Sequence, residues 1–131
     1  MKKIEVVAAI IKHKDEILCV QRPVNKLPYI SNKFEFPGGK IEPNETKIEA
    51  LKRELIEELE TEPEIDDLFL TVIHKYPDFE LTMHSFTCIA HSKQLNLKEH
   101  ISSVWLKKDK LNTLDWAAAD LPIVDKLISD D

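Results

Sequence analysis

Gly38-Gly39-Lys40-Ile41-Glu42-Pro43-Asn44-Glu45-Thr46, and then Arg53-Glu54-Leu55-Ile56-Glu57-Glu58, form the stretch on which the reading of this chain turns. Gly38 and Gly39 are the only two glycines in 131 residues. A fold of this size normally spreads glycines through its turns, so the pair predicts a glycine turn directly ahead of a helix. Pro43 and Asn44 read as turn residues, Asn tolerating a left-handed backbone. Thr46 with Glu49 forms a capping box, which starts the helix at Thr46 and carries it to residue 60. Ile48, Leu51, Leu55 and Leu59 then recur at three- and four-residue steps, a stripe that faces a core. Glu54, Glu57 and Glu58 fall within an arc of roughly 100° beside that stripe. Arg53, the i−4 neighbour of Glu57, can hold that carboxylate. Carboxylates crowded on one helix flank repel one another without a cation, and hard oxygen ligands suit Mg²⁺ or Mn²⁺. Clustered glutamates alone would more often be a solvated helix face. The Gly-Gly pair, Glu45 and Arg53 at fixed offsets argue against that here.

Gly39, five residues, Glu45, seven residues, Arg53-Glu54-Leu55, one residue, Glu57-Glu58 resembles the signature of the Nudix hydrolases. Every charged position of the signature is present. Two others depart from it: Glu60 stands where the family usually has Gly, and Thr61 where it has an aliphatic residue. That glycine normally ends the helix in a left-handed turn, so the departure, with Pro63 nearby, predicts an altered helix exit. Residues 32 to 42 are similar to the matching segment of MutT-type nucleoside triphosphate pyrophosphohydrolases. Lys98-Glu99 and Ala119-Asp120-Leu121-Pro122 resemble that branch and its cytidine-triphosphate-preferring relatives.

The length fits one domain with a single core. At 43% hydrophobic residues the composition is ordinary for a soluble protein. No apolar run approaches a membrane span, and Met1-Lys2-Lys3 leads straight into a strand pattern. Cys19 and Cys88 both lie in apolar runs, which predicts buried free thiols in a reducing cytoplasm. The net charge is −6, and residues 39 to 62 hold eight Glu against Lys40, Lys47, Lys52 and Arg53, leaving −2 elsewhere. That balance argues against binding of a nucleic-acid polymer by a broad basic face. A zinc module from His84, Cys88 and His91 fails on strand alternation, which puts His91 on the opposite face.

Residues 3 to 11 and 16 to 22 read as a hairpin around Lys14-Asp15, and 34 to 36 as a short strand. Residues 68 to 76 and 79 to 91 pair around Pro77-Asp78, and 103 to 106 form another strand. Asp120 is a suitable N-cap for a terminal helix whose Leu121, Val124, Leu127 and Ile128 make a core stripe. Helices after and between strands fit an α/β fold with a mixed sheet covered on both faces. The resemblance implies the same single-domain α/β/α sandwich.

It also implies the reaction: Mg²⁺- or Mn²⁺-dependent hydrolysis of a nucleoside triphosphate, with water attacking the β-phosphorus to release a monophosphate and pyrophosphate. Glu54, Glu57 and Glu58, with the Gly38 carbonyl, are the implied ligands. The base is Glu54 or Glu99. Arg53 and Glu45 read as a bracing ion pair. Gly39 and Lys40 adjoin the phosphates. Arg22, Phe36 and Asp120 match base-reading positions, although a strand Phe is often core and Asp120 has its capping alternative. An ionised Asp120 only accepts hydrogen bonds, which favours an amino-bearing edge such as cytosine over 8-oxoguanine; protonation would reverse this. A catalytically silent nucleotide sensor is the remaining alternative. The expected assembly is a monomer or homodimer.

Overall fold

The β1 strand (Lys2–His13) supplies the centre of the molecule because Val7, Ala8, Ala9, Ile10 and Ile11 are apolar without a break and buried on both faces. The computed structural model describes residues 1–130. Chain order then gives β2 (Glu16–Gln21), β3 (Phe34–Glu35), β4 (Gly38–Lys40), α1 (Lys47–Leu59), β5 (Glu64–Lys75), β6 (Phe79–Ile89), β7 (Ser102–Lys107) and α2 (Leu121–Ser129). Short 3₁₀ turns occupy Lys108–Thr113 and Ala118–Asp120.

The strands form a seven-stranded sheet in the order β3-β2-β1-β6-β5, with β4 added to β1 and β7 to β2. β1 and β6 run parallel and the remaining pairs antiparallel, so the sheet is mixed as expected. The hairpin turn includes Lys14 at φ 56°. Its strands share only the pairs Lys12–Ile17 and His13–Glu16 before β2 turns away to pair with β7 along its whole length. That splay leaves the N-terminal half of β1 free to accept β4 at Val6, Val7 and Ala8.

Alternation along β1 divides the core. Val7, Ala9 and Ile11 join Leu51, Leu55 and Leu59 of α1, while Ala8 and Ile10 join Ile123, Val124 and Leu127 of α2. The α/β/α sandwich follows. Each fully buried leucine of α1 contributes about 1.5–3 kcal/mol, so a polar residue at Leu55 would detach the helix. The capping box is present: Thr46 Oγ1 accepts from Glu49 N–H at 3.1 Å and the Glu49 carboxylate accepts from Thr46 N–H at 2.8 Å.

Four expectations are corrected. Gly38 and Gly39 do not form a turn; both lie in β4 and neither has positive φ. A Cβ on Gly38 would stand 1.9 Å from the Val7 carbonyl oxygen, so close approach to β1 accounts for this glycine. The helix exit is not altered: Glu60 takes the left-handed conformation itself (φ 52°, ψ 42°), its N–H reaching the Ile56 carbonyl. β5 begins at Glu64 rather than 68, carried by backbone pairing to β6 across register shifts near Leu68. In α2, Leu121 is 43% exposed and Ile123 fills the core place assigned to it.

Candidate active site

The close packing of β4 against α1 organises the site. An added Cβ on Gly39 would lie 2.3 Å from Glu54 Oε2, so the missing side chain is what leaves room for that carboxylate. Arg53, one residue earlier, is a clamp. Its Nε and Nη2 donate to the two Glu45 oxygens at 2.6 and 2.9 Å, and Nη1 donates to Glu54 Oε1 at 2.8 Å and Glu57 Oε2 at 3.2 Å. Nη2 also donates to the Lys40 carbonyl at 3.0 Å, fastening β4 to the helix. The guanidinium and the Glu42 N–H hold the Glu45 carboxyl down at about 2. The bracing pair is therefore in place, while the Lys40 residue is exposed.

Glu58 turns inward and is 4% exposed. Burial, then a hydrogen bond shared with Glu54, then the charges of Glu54, Glu35 and Glu99, push its carboxyl far above the usual range. The three helix carboxylates thus do not converge as they stand: Glu54 and Glu57 lean on Arg53, and Glu58 faces the interior. Among the described residues no three acidic, histidine or cysteine groups already surround one point. The donors nevertheless fit a hard cation in kind, since the carboxylates of Glu54, Glu35 and Glu99 bear on the buried Glu58 and a divalent ion beside it would offset that crowding of negative charge.

The loop after β6 closes the cleft by capping the end of α1. Asn96 N–H donates to the Leu59 carbonyl at 2.9 Å and Lys98 N–H to the Glu58 carbonyl at 3.0 Å, satisfying helix-end acceptors. A Lys98–Glu60 ion pair adds to the seam. Glu99 and His100 are carried to a cleft lined with Arg22, Pro23, Glu35 and Glu58. His100 Nε2 donates to Glu35 at 2.9 Å and stands 3.7 Å from Glu58.

On the α2 side of the sheet lies a cavity of about 280 Å³, walled in part by Arg22, Phe36, Gly38, Gly39, Lys40 and Asp120. Asp120 caps nothing. It accepts from Phe36 N–H at 3.1 Å instead, and α2 has no side-chain cap bond. It is 4% exposed, and burial followed by the Glu35 charge holds its carboxyl well above the usual range, which works against an ionised, accept-only Asp. Phe36 is 3% exposed with its ring stacked on Trp116 at 4.7 Å, so most of that ring belongs to the core. Arg22 pairs with Glu35 at 3.2 Å. The expected free thiols Cys19 and Cys88 are buried. His84 bonds to Thr71 and Glu5, and His91 to Glu64 beyond the end of β6, so they share no site.

The motif's geometry now has its counterpart among known proteins. A NUDIX domain family model matches residues 6–126. The chain belongs to the Nudix hydrolase family. This Nudix domain is 33% identical over 129 residues to the "CTP pyrophosphohydrolase" of Escherichia coli K12, covering 98% of this chain and 94% of that one. It is equally 33% identical over 128 residues to the "8-oxo-dGTP diphosphatase" of the same strain, covering 97% and 98%. Among solved structures, the E. coli ORF135 protein superposes with a TM-score of 0.82 at 34% identity, covering 95% of this chain and 88% of that one. A MutT protein of methicillin-resistant Staphylococcus aureus 252 gives 0.77 at 36%, covering both chains fully.

Sequence reasoning missed Glu35, His100 and Tyr76, whose hydroxyl accepts from Ala119 N–H at 3.0 Å beside the cavity. Glu35 carried one signal, an acid between Phe34 and Phe36. His100 had only its adjacency to Glu99.

Proposed function

We propose that this Nudix hydrolase cleaves nucleoside or deoxynucleoside triphosphates to a monophosphate and pyrophosphate. The observation that carries the reading is the half-buried Glu54, given its room by Gly39, on the same helix flank as the buried Glu58 and beside a cavity that reaches Asp120. Glu54, Glu57, Glu58 and the Gly38 carbonyl would hold Mg²⁺ or Mn²⁺, which when bound supplies charge neutralisation at the phosphoryl oxygens. Glu54 or Glu99 takes the proton of the attacking water. The water oxygen bonds to the β-phosphorus, and the bridging oxygen leaves with the monophosphate. Arg53 and Glu45 keep β4 and α1 in register, while Arg22, Phe36, Gly39, Lys40 and Asp120 face the nucleotide. The buried free thiols support work in a reducing cytoplasm, and the net charge of −6 supports a small molecule over a nucleic-acid polymer.

A cytosine nucleotide is the first reading of the base, in keeping with the CTP-named relative. An 8-oxoguanine nucleotide is the second: burial holds the Asp120 carboxyl above the usual range, and in its protonated form that carboxyl would both donate and accept along one edge. The test is a panel of CTP, dCTP, GTP, dGTP and 8-oxo-dGTP with Mg²⁺, scored for pyrophosphate. Preference for CTP or dCTP supports the first reading and for 8-oxo-dGTP the second. Absence of pyrophosphate from every triphosphate would overturn both. E54Q and E99Q, compared on the best substrate, separate the two candidate bases.

A further inference from the structure

Arg22 and Glu35 line both the base cavity and the carboxylate cleft, so they are the wall the two compartments share. Glu35 accepts from Arg22 Nη1 on one side and from His100 Nε2 on the other. His100 in turn stands 3.7 Å from Glu58 Oε1, with side-chain exposures of 4% and 5%. A single ring therefore lies between a carboxylate of the base wall and a carboxylate of the candidate metal site. We propose that His100 is a positioning residue, which sets the orientation of Glu35 and Glu58 and so links the seating of the nucleotide to the assembly of the metal site.

Simple packing does not account for this ring. Its Nδ1 is buried and has no hydrogen-bond partner among the described residues. An apolar side chain of similar shape would fill the space without an unpaired nitrogen. What the imidazole provides beyond such an apolar side chain is the Nε2–H donor between two acidic groups. The backbone aims it. Lys98 N–H is fixed to the Glu58 carbonyl and Ile101 N–H to the Gln21 carbonyl at 3.0 Å each, so the two residues flanking Glu99-His100 are tied to α1 and β2. Glu58, by contrast, has no Lys or Arg paired to it among the described residues. Arg53 holds Glu45, Glu54 and Glu57, which leaves His100, among the described residues, as the basic side chain within ion-pair distance of Glu58. A partner that orients a metal-holding group typically changes metal affinity or activity by about 10- to 100-fold when removed.

The inference rests on the phosphohydrolase reading only for its kinetic arm. The full-length protein is prepared as wild type, H100L and H100Q. Mn²⁺ binding without nucleotide is measured by calorimetry, and kcat and KM are measured on CTP and 8-oxo-dGTP. H100L should bind Mn²⁺ about 10-fold more weakly and lose at least about 10-fold in kcat, with KM changed less. H100Q, whose side-chain Nε2 also donates, should recover most of both. Weakened Mn²⁺ binding in H100L with recovery in H100Q supports the positioning role even if no triphosphate is cleaved, a result that sinks the substrate reading alone. Wild-type Mn²⁺ affinity in a folded H100L, or an H100Q as impaired as H100L, overturns the proposal. Should H100L melt too low to assay, H100N, with a shorter amide, is compared with H100Q on the same terms.

Discussion

Gly38→Ala and Gly39→Ala separate the two tasks of β4, and the structure assigns them opposite outcomes. A Cβ on Gly38 would meet backbone alone: the Val7 oxygen at 1.9 Å, the Val7 carbon at 2.8 Å and the Ala8 Cα at 2.8 Å. β1 is the central strand, paired to β6 along eleven residues, and cannot retreat. The only relief is to unpair β4, which forfeits its three register pairs and strains the Lys40–Arg53 contact. Overpacking a tight interior costs about 3 kcal/mol at the upper end of its usual range. With an unfolding entropy of about 2.1 cal/mol/K per residue, 131 residues lose roughly 11 °C in Tm.

A Cβ on Gly39 meets side chain alone, the Glu54 carboxylate at 2.3–2.8 Å. That group can swing away for about 1 kcal/mol of rotamer strain, or roughly 4 °C by the same scaling. The displacement takes Glu54 off Arg53 and out of the candidate metal site. Misplacing a reacting group by about 1 Å costs on the order of 100-fold in rate. The expected pattern is a G38A protein that melts low and a G39A protein that melts nearly normally but is inactive. Metal-free thermal melts and pyrophosphate release at saturating triphosphate measure the two arms. Wild-type activity in G39A, or a wild-type melt for G38A, would refute the close-approach account of both glycines.

Three further outcomes follow from particular contacts. Glu54→Gln should lower turnover by about 100-fold or more while leaving the metal-free melt within a few degrees; unchanged turnover in the pyrophosphate assay removes Glu54 from the site. Glu60→Gly should raise Tm by about 3 °C, since a left-handed residue with a Cβ is strained and the Lys98 pair is half-exposed; a melt at or below wild type would contradict this. Asp120→Asn should stabilise the protein in a pH-dependent way. The Asp120 carboxyl is raised by burial, so its favourable state is fully present below about 3.8 and is lost as pH rises through the folded value. The Asn variant should match wild type near pH 4 and gain on it in Tm as pH rises; a Tm difference that is flat with pH would refute the burial argument.

The parts of the fold legible in sequence are those whose cause is local. Thr46 and Glu49 cap one another across three residues, and the α1 stripe needs only its own period, so both were readable. β4 was not, because two glycines carry no alternating pattern; their extended state is imposed by Val7 and Glu54, far away in the chain. The start of β5 was hidden for a related reason. Residues 64 to 67 are largely acidic, and their backbone pairing with β6 has no side-chain signature. Asp120 shows the limit most sharply. Its residue type and place before α2 match a helix cap, yet its carboxylate bonds to Phe36 N–H, 84 residues away.

The same distinction explains why phosphate chemistry was easier to read than base choice. Arg53, Glu54, Glu57 and Glu58 sit on adjoining turns of one helix, so helical spacing alone places them on one flank. The cavity on the other side of the sheet draws on residues from 4 to 120, and no short-range period connects them. β4 stands between the two compartments, with Gly39 touching Glu54 and also lining the cavity. Beside it, Glu35 reaches from Arg22 to His100, and His100 from Glu35 towards Glu58. A base seated against Arg22 would therefore act on Glu58 through two hydrogen-bonded side chains rather than through movement of α1. Substrate selectivity should on that account appear partly in kcat, since contacts that seated the base at Arg22 would also orient a carboxylate of the candidate metal site.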